Sequence, residues 1–175
     1  MKGDAFLMKK TRNFVFLGLL IAMDVVLIHM LPVIQVDTLR ISFGFVPQMF
    51  TSMLFGPVIG GVGAALGDVI GMIVAPKGAY FPGLTLSALL TGVIYGIILY
   101  DKPKTVLRIL IAVLCVTVLI DIPLNTYWFT LMYGKGFLAM LPARIIKSAI
   151  LVPLQTGVMY PLWKYAGSYI ERMMK

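Results

Sequence analysis

The chain has 175 residues, of which 60% are hydrophobic and 13% are charged, and its mean hydropathy is +0.97. A soluble domain is about half apolar and about a quarter charged, so this composition excludes a soluble globular protein and predicts an integral membrane protein. At about 20 residues a span, there is room for about six helices and little else. We therefore expect a single all-α, membrane-embedded domain over residues 1–175.

Hydropathy and turn residues divide the chain into six predicted helices. The first follows a basic N-terminal segment and resembles a secretory signal, but its apolar run is long enough to span a bilayer and no small-residue cleavage site closes it. We therefore expect it to be retained as a membrane helix. The six predicted helices cover residues 13–30, 41–55, 56–75, 84–100, 106–132 and 137–165.

The first predicted helix carries two small residues and two ionisable ones. Gly18 and Ala22 are four apart and therefore share a helix face, and such a pair is the usual packing surface between membrane helices. An aspartate at bilayer depth is costly unless it faces protein or water, so we expect Asp24 to point into the bundle. His29 lies near the end of the helix, and we expect it at the membrane interface.

The second and third predicted helices form an antiparallel pair around a tight Gly56-Pro57 turn. The third helix repeats a small residue at helical spacing, which in lipid lets neighbouring backbones approach closely. It also carries Asp68, which must face protein or a wet cavity. The small residues of this stripe are Gly56, Gly60, Ala64 (or Gly63), Gly67 and Gly71.

Polar side chains recur on one face of each of the last two predicted helices. Asp121, Asn125 and Trp128 follow the spacing of a helix face in the fifth helix. Arg144 and Lys147 share a face of the sixth. Lipid excludes such groups, so they must pair with one another or converge on a pocket.

The residue types suggest a ligand. An aromatic ring beside an amide and a carboxylate suits a flat, hydrogen-bonding heterocycle, and cations nearer the outer surface suit an anionic part of the same molecule. These cations are Arg40, Lys77, Lys135, Arg144 and Lys147.

Other interpretations of the same residues remain open. Asp68 or Asp121 could simply neutralise a basic side chain of the sixth helix within the bundle. Lys77 and Lys135 could be solvated loop charges. Trp128 could belong to the aromatic belt at the membrane interface.

The placement of lysine and arginine accounts for the net charge of +8. Ten of the 15 basic residues fall on the side of both termini and five on the other. By the positive-inside rule, this places both the N- and the C-terminus in the cytoplasm. The excess charge then reflects topology and contact with anionic lipid, and no nucleic-acid partner is needed.

Motifs of catalysis are missing from the sequence. It has one histidine, no HExxH pair, no phosphate-binding Gly-x-x-x-x-Gly-Lys-Ser/Thr loop and no carboxylate motif for a divalent metal. We therefore expect no enzyme activity, no metal site and no cofactor. Residues 1–87 and 88–175 also lack the internal repeat that self-powered carriers often show. A small membrane binder of this kind requires a partner that supplies energy.

Several segments resemble the substrate-binding S components of energy-coupling factor (ECF) vitamin transporters, and within them the folate type. Phe81-Pro82-Gly83 and Arg144-Ile145-x-Lys147 are similar to segments of that type, whereas the Leu54-Phe55-Gly56-Pro57 turn is shared more widely among S components. The likeness covers nearly the whole chain. The segments that carry it are 39–47, 54–57 with the stripe and Asp68, 80–88, 91–96 and 142–147.

The resemblance implies a six-helix protein in a bacterial cell membrane that captures folate from outside, in a site capped by the loops after helices 1, 3 and 5. It also implies docking, through Gly18 and Ala22, on a membrane scaffold (the T component) driven by two cytosolic ATPases (the A components). Glycine at residue 18 departs from the alanine that is commoner there. The expected folate-binding residues are Arg40, Asp68, Lys77, Tyr80, Phe81, Asp121, Asn125, Trp128, Arg144 and Lys147.

Three other functions stay open at this point. The polar residues alone do not distinguish folate from another anionic vitamin such as pantothenate. The chain could also act as a stand-alone small membrane carrier or channel. A small membrane enzyme acting on lipid or isoprenoid substrates is the third alternative.

Overall fold

The computed structural model describes residues 2–30, 34–36, 39–41, 43–76, 79–134, 136–167 and 169–170. Almost all of this part of the chain is helical, and π-helical segments continue three of the helices. The elements are α1 (Lys2–Val25, continued by Val26–Met30), β1 (Ile34–Val36), β2 (Leu39–Ile41), α2 (Phe45–Val74), α3 (Pro82–Leu99), α4 (Val106–Val116, continued by Thr117–Leu124), α5 (Asn125–Tyr133) and α6 (Phe137–Leu162, continued by Trp163–Gly167).

A short antiparallel hairpin follows α1 and corrects one boundary of the prediction. Its strands pair Ile34 with Ile41 and Val36 with Leu39. The second predicted helix was expected from residue 41, but the structure starts it at Phe45. The all-α class therefore holds for the helical part of the described chain, with a hairpin of two three-residue strands added to it.

The α2 helix turns back on itself at Gly56. This residue has φ +88° and ψ −178°, a backbone conformation that costs glycine little and other residues much. A Cβ built on Gly60 would lie 2.8 Å from the Cα of Ser52, so residues 45–55 and 57–74 pack against each other. The predicted antiparallel pair is confirmed, with Pro57 opening its second half, where a missing N–H costs least.

Among the described residues, five helices are long and apolar enough to cross a membrane. They are Thr11–Met30, Phe45–Val74, Pro82–Leu99, Val106–Met132 and Phe137–Gly167. Because Phe45–Val74 contains the reversal at Gly56, the second and third predicted helices fall within this one candidate span. The count of six membrane helices stays a prediction.

The glycine stripe has two different uses. At one end of the bundle, α2 and α3 pack backbone against backbone: a Cβ on Gly92 would collide with the carbonyl of Gly60, and one on Gly96 with Pro57. That is the close approach that the spacing predicted. Toward the other end, Gly67 and Gly71 instead make room for side chains of α1, namely Asp24 and His29.

The dry core lies at the end that holds the Gly56 turn and the loop between α3 and α4. Phe50 packs on Trp163 with ring centroids 5.6 Å apart, and Lys104 lies 4.8 Å over the Trp163 ring. The largest side chains that are fully buried there are Met49, Met53, Leu99, Ile109, Val113 and Met159. This packing leaves the opposite half of the bundle open for a cavity.

Candidate functional site

A cavity of about 390 Å³ lies between α1, α2, α3, the α4–α5 span and α6. Its walls combine apolar side chains with polar groups from every one of these elements, as is usual for a small-molecule site. The polar side chains that line it are His29, Gln48, Asp68, Ser87, Thr91, Tyr95, Asp121, Asn125, Lys147 and Gln155.

The wall formed by α2 and α3 carries Asp68. Its Oδ2 accepts a hydrogen bond from the Thr85 hydroxyl at 2.6 Å, and that hydroxyl also lies 3.2 Å from the phenol oxygen of Tyr80. Asp68 therefore faces the protein and the cavity, as its position in an apolar helix required.

The wall formed by the α4–α5 span carries Asp121 and Asn125. The Asn125 side-chain nitrogen donates to the Asp121 carboxylate at 3.1 Å, the contact expected for residues four apart on a helix. Lys147 and Arg144 both interact electrostatically with Asp121. The side-chain carbonyl oxygen of Asn125 is buried and has no hydrogen-bond partner among the described residues, so this wall presents an acid, an amide and a cation together.

Arg144 is held beside the cavity, not in its lining. Its Nη1 donates to the main-chain oxygen of Asp121 at 3.0 Å, and its guanidinium lies 4.6 Å over the Phe129 ring. This arrangement orders the α5–α6 contact next to the site.

An aromatic cluster lies next to the cavity wall at Ser87. Trp128 Nε1 donates to the Ser87 hydroxyl at 3.1 Å, and Ser87 itself lines the cavity. The Trp128 ring packs against Phe81, with centroids 5.6 Å apart, and against Tyr127 at 5.1 Å. Gly83, at the start of α3, leaves room for it: a Cβ there would lie 2.6 Å from Trp128 Cδ2.

The ten predicted binding residues fall into three groups by their position relative to the cavity. Asp68, Asp121, Asn125 and Lys147 line the cavity. Four more stand next to it through the contacts just described, namely Tyr80, Phe81, Trp128 and Arg144. Lys77 and the side chain of Arg40 lie outside the described residues, although the Arg40 backbone pairs with Gln35 in the hairpin. Ligand contact by any of the ten stays a prediction.

Several polar residues of the lining were not among the predicted ones. His29 was expected at the interface, but it is only 7% exposed, and its Nδ1 lies 3.2 Å from the Ala75 carbonyl. Ser87 and Thr91 also line the cavity, and their four-residue spacing, which places them on one helix face, was the available signal. Gln48, Tyr95 and Gln155 line the cavity as well and were not predicted.

The other residues singled out on the first helix lie outside the cavity lining. Asp24 faces the protein as expected, with 3% of its surface exposed. Gly18 and Ala22 lie on the outer surface, and a Cβ on Gly18 would have nothing within 4 Å. Within the described ranges, no three His, Cys, Asp or Glu side chains are grouped to hold a metal ion.

Comparison with known proteins identifies the family. The sequence model of the family "ECF transporter, substrate-specific component" matches residues 12–163. The folate transporter FolT of Clostridium novyi (strain NT) is 41% identical over 157 residues, covering 90% of this chain and 91% of that protein. FolT of Leuconostoc mesenteroides subsp. mesenteroides is 34% identical over 156 residues, covering 86% and 83%.

A solved structure has the same fold. The crystal structure of FolT bound with folic acid superposes with a TM-score of 0.80 at 42% identity, covering 87% of this chain and 92% of that one. Components of this family are substrate-binding subunits of transporters and not enzymes. The chain therefore belongs to the family of membrane-embedded substrate-specific components of ECF transporters, and within it to the FolT type.

Proposed function

We propose that this protein is a folate-binding S component, which takes folate into the cavity from outside the cell and delivers it inward when docked on its energy-coupling module. One observation carries the proposal: a cavity of about 390 Å³ with an acid, an amide and a cation on one wall, in a chain whose fold matches a FolT that holds folic acid. The polar groups converge on the cavity from every surrounding helix, as in sites that orient one ligand.

The chemistry of the walls fits the two parts of a folate. Asp121 and Asn125 offer acceptors and a donor for the edge of a flat ring, with the Trp128 cluster at the side for stacking. Lys147 offers a charge for an acidic part of the ligand. Another anionic vitamin, such as pantothenate, would use the cation but not the aromatic surface.

The topology that goes with this function has six membrane crossings and both termini in the cytoplasm, in the cell membrane of a bacterium. The two halves of α2 would supply two of the crossings. Short helices at membrane depth are tolerated where they are covered by protein or line a cavity, which suits the half that carries Gln48.

Energy for transport would come from partners: a T component in the membrane and two cytosolic ATPases that hydrolyse ATP. We propose the outer face of α1 around Gly18 and Ala22 as the docking surface. Its small exposed residues leave that face unobstructed, which would allow another membrane helix to approach closely.

Ligand titration tests the proposal. Purified protein in detergent is titrated with folic acid and, in parallel, with pantothenate and other vitamins, with binding heat and tryptophan fluorescence as signals. Saturable binding of folic acid at one site, which pantothenate does not displace, supports the proposal. If the protein bound another vitamin more tightly than folic acid, that vitamin and not folate would be the substrate.

A second experiment separates the S component from a stand-alone carrier. Liposomes containing the chain alone, and liposomes containing it with T and A components and internal ATP, are supplied with labelled folic acid. Uptake is expected only with the complete set. Uptake by the chain alone would favour the carrier.

A further inference from the structure

Three side-chain oxygens form a row between the segment that precedes α3 and the cavity wall. The phenol oxygen of Tyr80 lies 3.2 Å from the Thr85 hydroxyl, and that hydroxyl lies 2.6 Å from Oδ2 of Asp68. Asp68 lines the cavity, whereas Tyr80 and Thr85 stand behind the lining. The bond between Thr85 and Asp68 also joins the first turn of α3 to the second half of α2.

The direction of the two hydrogen bonds follows from the donors that are available. A hydroxyl group carries one proton, so Thr85 donates to one of its two neighbours. Oδ2 of Asp68 is the nearer one, and a separation of 2.6 Å is typical of a hydroxyl that donates to an ionised carboxylate. The Tyr80 phenol then donates to the Thr85 oxygen, which still has lone pairs to accept.

The bond from Thr85 fixes the rotation of the Asp68 side chain. The terminal torsion of an aspartate is broad and roughly two-fold, so a carboxylate without such a partner can turn about it. With Oδ2 held toward α3, the plane of the carboxylate is set and so is the position of Oδ1. The two oxygens of a carboxylate offer about four acceptor sites, so the bond to Thr85 leaves Asp68 able to accept from a ligand in the cavity.

We propose that Thr85 is a positioning residue, which holds the Asp68 carboxylate in the orientation that accepts a hydrogen bond from an N–H or amino group of the ligand. The inference rests on the proposed function, since it assigns a specificity role within the same site. Thr85 itself does not touch the ligand. Its effect on binding is transmitted through the orientation of Asp68.

Removal and restoration of the Thr85 hydroxyl test this role. Equilibrium binding of folic acid is measured in detergent for the unaltered protein, Thr85→Val and Thr85→Ser. Valine keeps the shape of threonine without its donor, and serine keeps the donor. Thr85→Val should raise the dissociation constant about tenfold, because a hydrogen bond to a charged group no longer orders the acceptor. Thr85→Ser should stay within about threefold. A loss in Thr85→Ser as large as that in Thr85→Val overturns the inference.

Thr51→Val is the matched control. The Thr51 hydroxyl is buried and donates to the Pro47 carbonyl of its own helix at 2.8 Å, and Thr51 is not a lining residue. This variant should bind folic acid as the unaltered protein does, and a loss equal to that of Thr85→Val would overturn the inference. Melting temperatures of the ligand-free proteins are measured in parallel. A purely structural role of Thr85 predicts a lower melting temperature with unchanged affinity, which would also overturn it.

A double variant tests whether the effect passes through Asp68. Thr85→Val is combined with Asp68→Asn, which replaces the carboxylate by an amide. If Thr85 acts by orienting that carboxylate, the double variant should bind folic acid no more weakly than Asp68→Asn alone. A further loss of about tenfold would overturn the inference, because Thr85 would then act independently of Asp68.

The failure of this inference is distinguishable from that of the proposed function. If the unaltered protein does not bind folic acid, the proposed function is wrong and the role of Thr85 falls with it. If the unaltered protein binds folic acid and Thr85→Val binds it equally well, only the role of Thr85 is wrong.

Discussion

Arg144 holds Asp121 by a hydrogen bond to its main chain, in addition to the attraction between their charges. The guanidinium Nη1 lies 3.0 Å from the Asp121 carbonyl oxygen, while the Asp121 carboxylate accepts from Asn125. The backbone N–H of Asn125, which an α-helix would direct to this carbonyl, donates instead to the Ile120 carbonyl at the end of the π-helical segment Thr117–Leu124. The basic residue of α6 thus stabilises an irregular stretch of the wall that carries the acid and the amide.

Removing the Arg144 side chain should weaken ligand binding. Arg144→Ala leaves the Asp121 carbonyl without its donor and loosens that wall, so we expect a loss of about 1.5–3 kcal/mol in the binding free energy of folic acid. Calorimetric titration measures it. Arg108→Ala, at the far end of the bundle, is the control and should bind normally. Unchanged affinity in Arg144→Ala would contradict a role at the site.

Glycine substitutions should separate backbone contacts from open positions. Gly92→Ala and Gly96→Ala place a methyl group on the backbone of α2, and overpacking of this kind costs about 1–3 kcal/mol. The melting temperature in detergent should fall for both. Gly18→Ala and Gly157→Ala are matched controls, since a Cβ at either residue has nothing within 4 Å. Equal melting temperatures across the four variants would refute the close packing of α2 on α3.

The two tryptophans should respond differently to ligand. Trp128 bonds to Ser87 in the cavity wall, whereas Trp163 is buried between Phe50 and Lys104 in the dry core. Trp163→Phe should keep the fluorescence change caused by folic acid, and Trp128→Phe should lose most of it. Calorimetry on both variants confirms that binding persists. A change that survives in Trp128→Phe would place the ligand elsewhere.

Docking should depend on the outer face of α1 without affecting the cavity. Gly18→Leu or Ala22→Leu should leave folic acid binding unchanged and abolish ATP-dependent uptake in liposomes with the complete transporter, because a large side chain blocks close helix contact. Val15→Leu, also exposed on α1, is the control. Normal uptake by the first two variants would mean that another surface docks.

The elements that depend on local spacing could be predicted from the sequence. The Gly56-Pro57 reversal follows from the conformational needs of two residues, and the Asp121–Asn125 hydrogen bond follows from helical periodicity. In both cases, the relevant partners are neighbours in the chain, so the sequence carries the information directly.

Placements that depend on distant partners could not be predicted in the same way. His29 and Asp24 are buried because Gly71 and Gly67, on another helix, leave room for them. The π-helical turn Val26–Met30 also changes the spacing, since a π-helix stacks residues five apart instead of four. It brings His29 over Asp24 on the face toward α2, which is why an interfacial histidine was expected and a buried one is found.

Filling the cavity is the most direct test of the account. Ala88 lines the cavity, whereas Leu86, two residues earlier on α3, is 46% exposed on the outer surface. Equilibrium binding of labelled folic acid is measured for the unaltered protein, Ala88→Trp and Leu86→Trp, all purified in detergent. We predict one site per chain in the unaltered protein and in Leu86→Trp, and none in Ala88→Trp. Binding by Ala88→Trp with unaltered affinity, or no binding by the unaltered protein, would contradict the claim that this cavity holds folate.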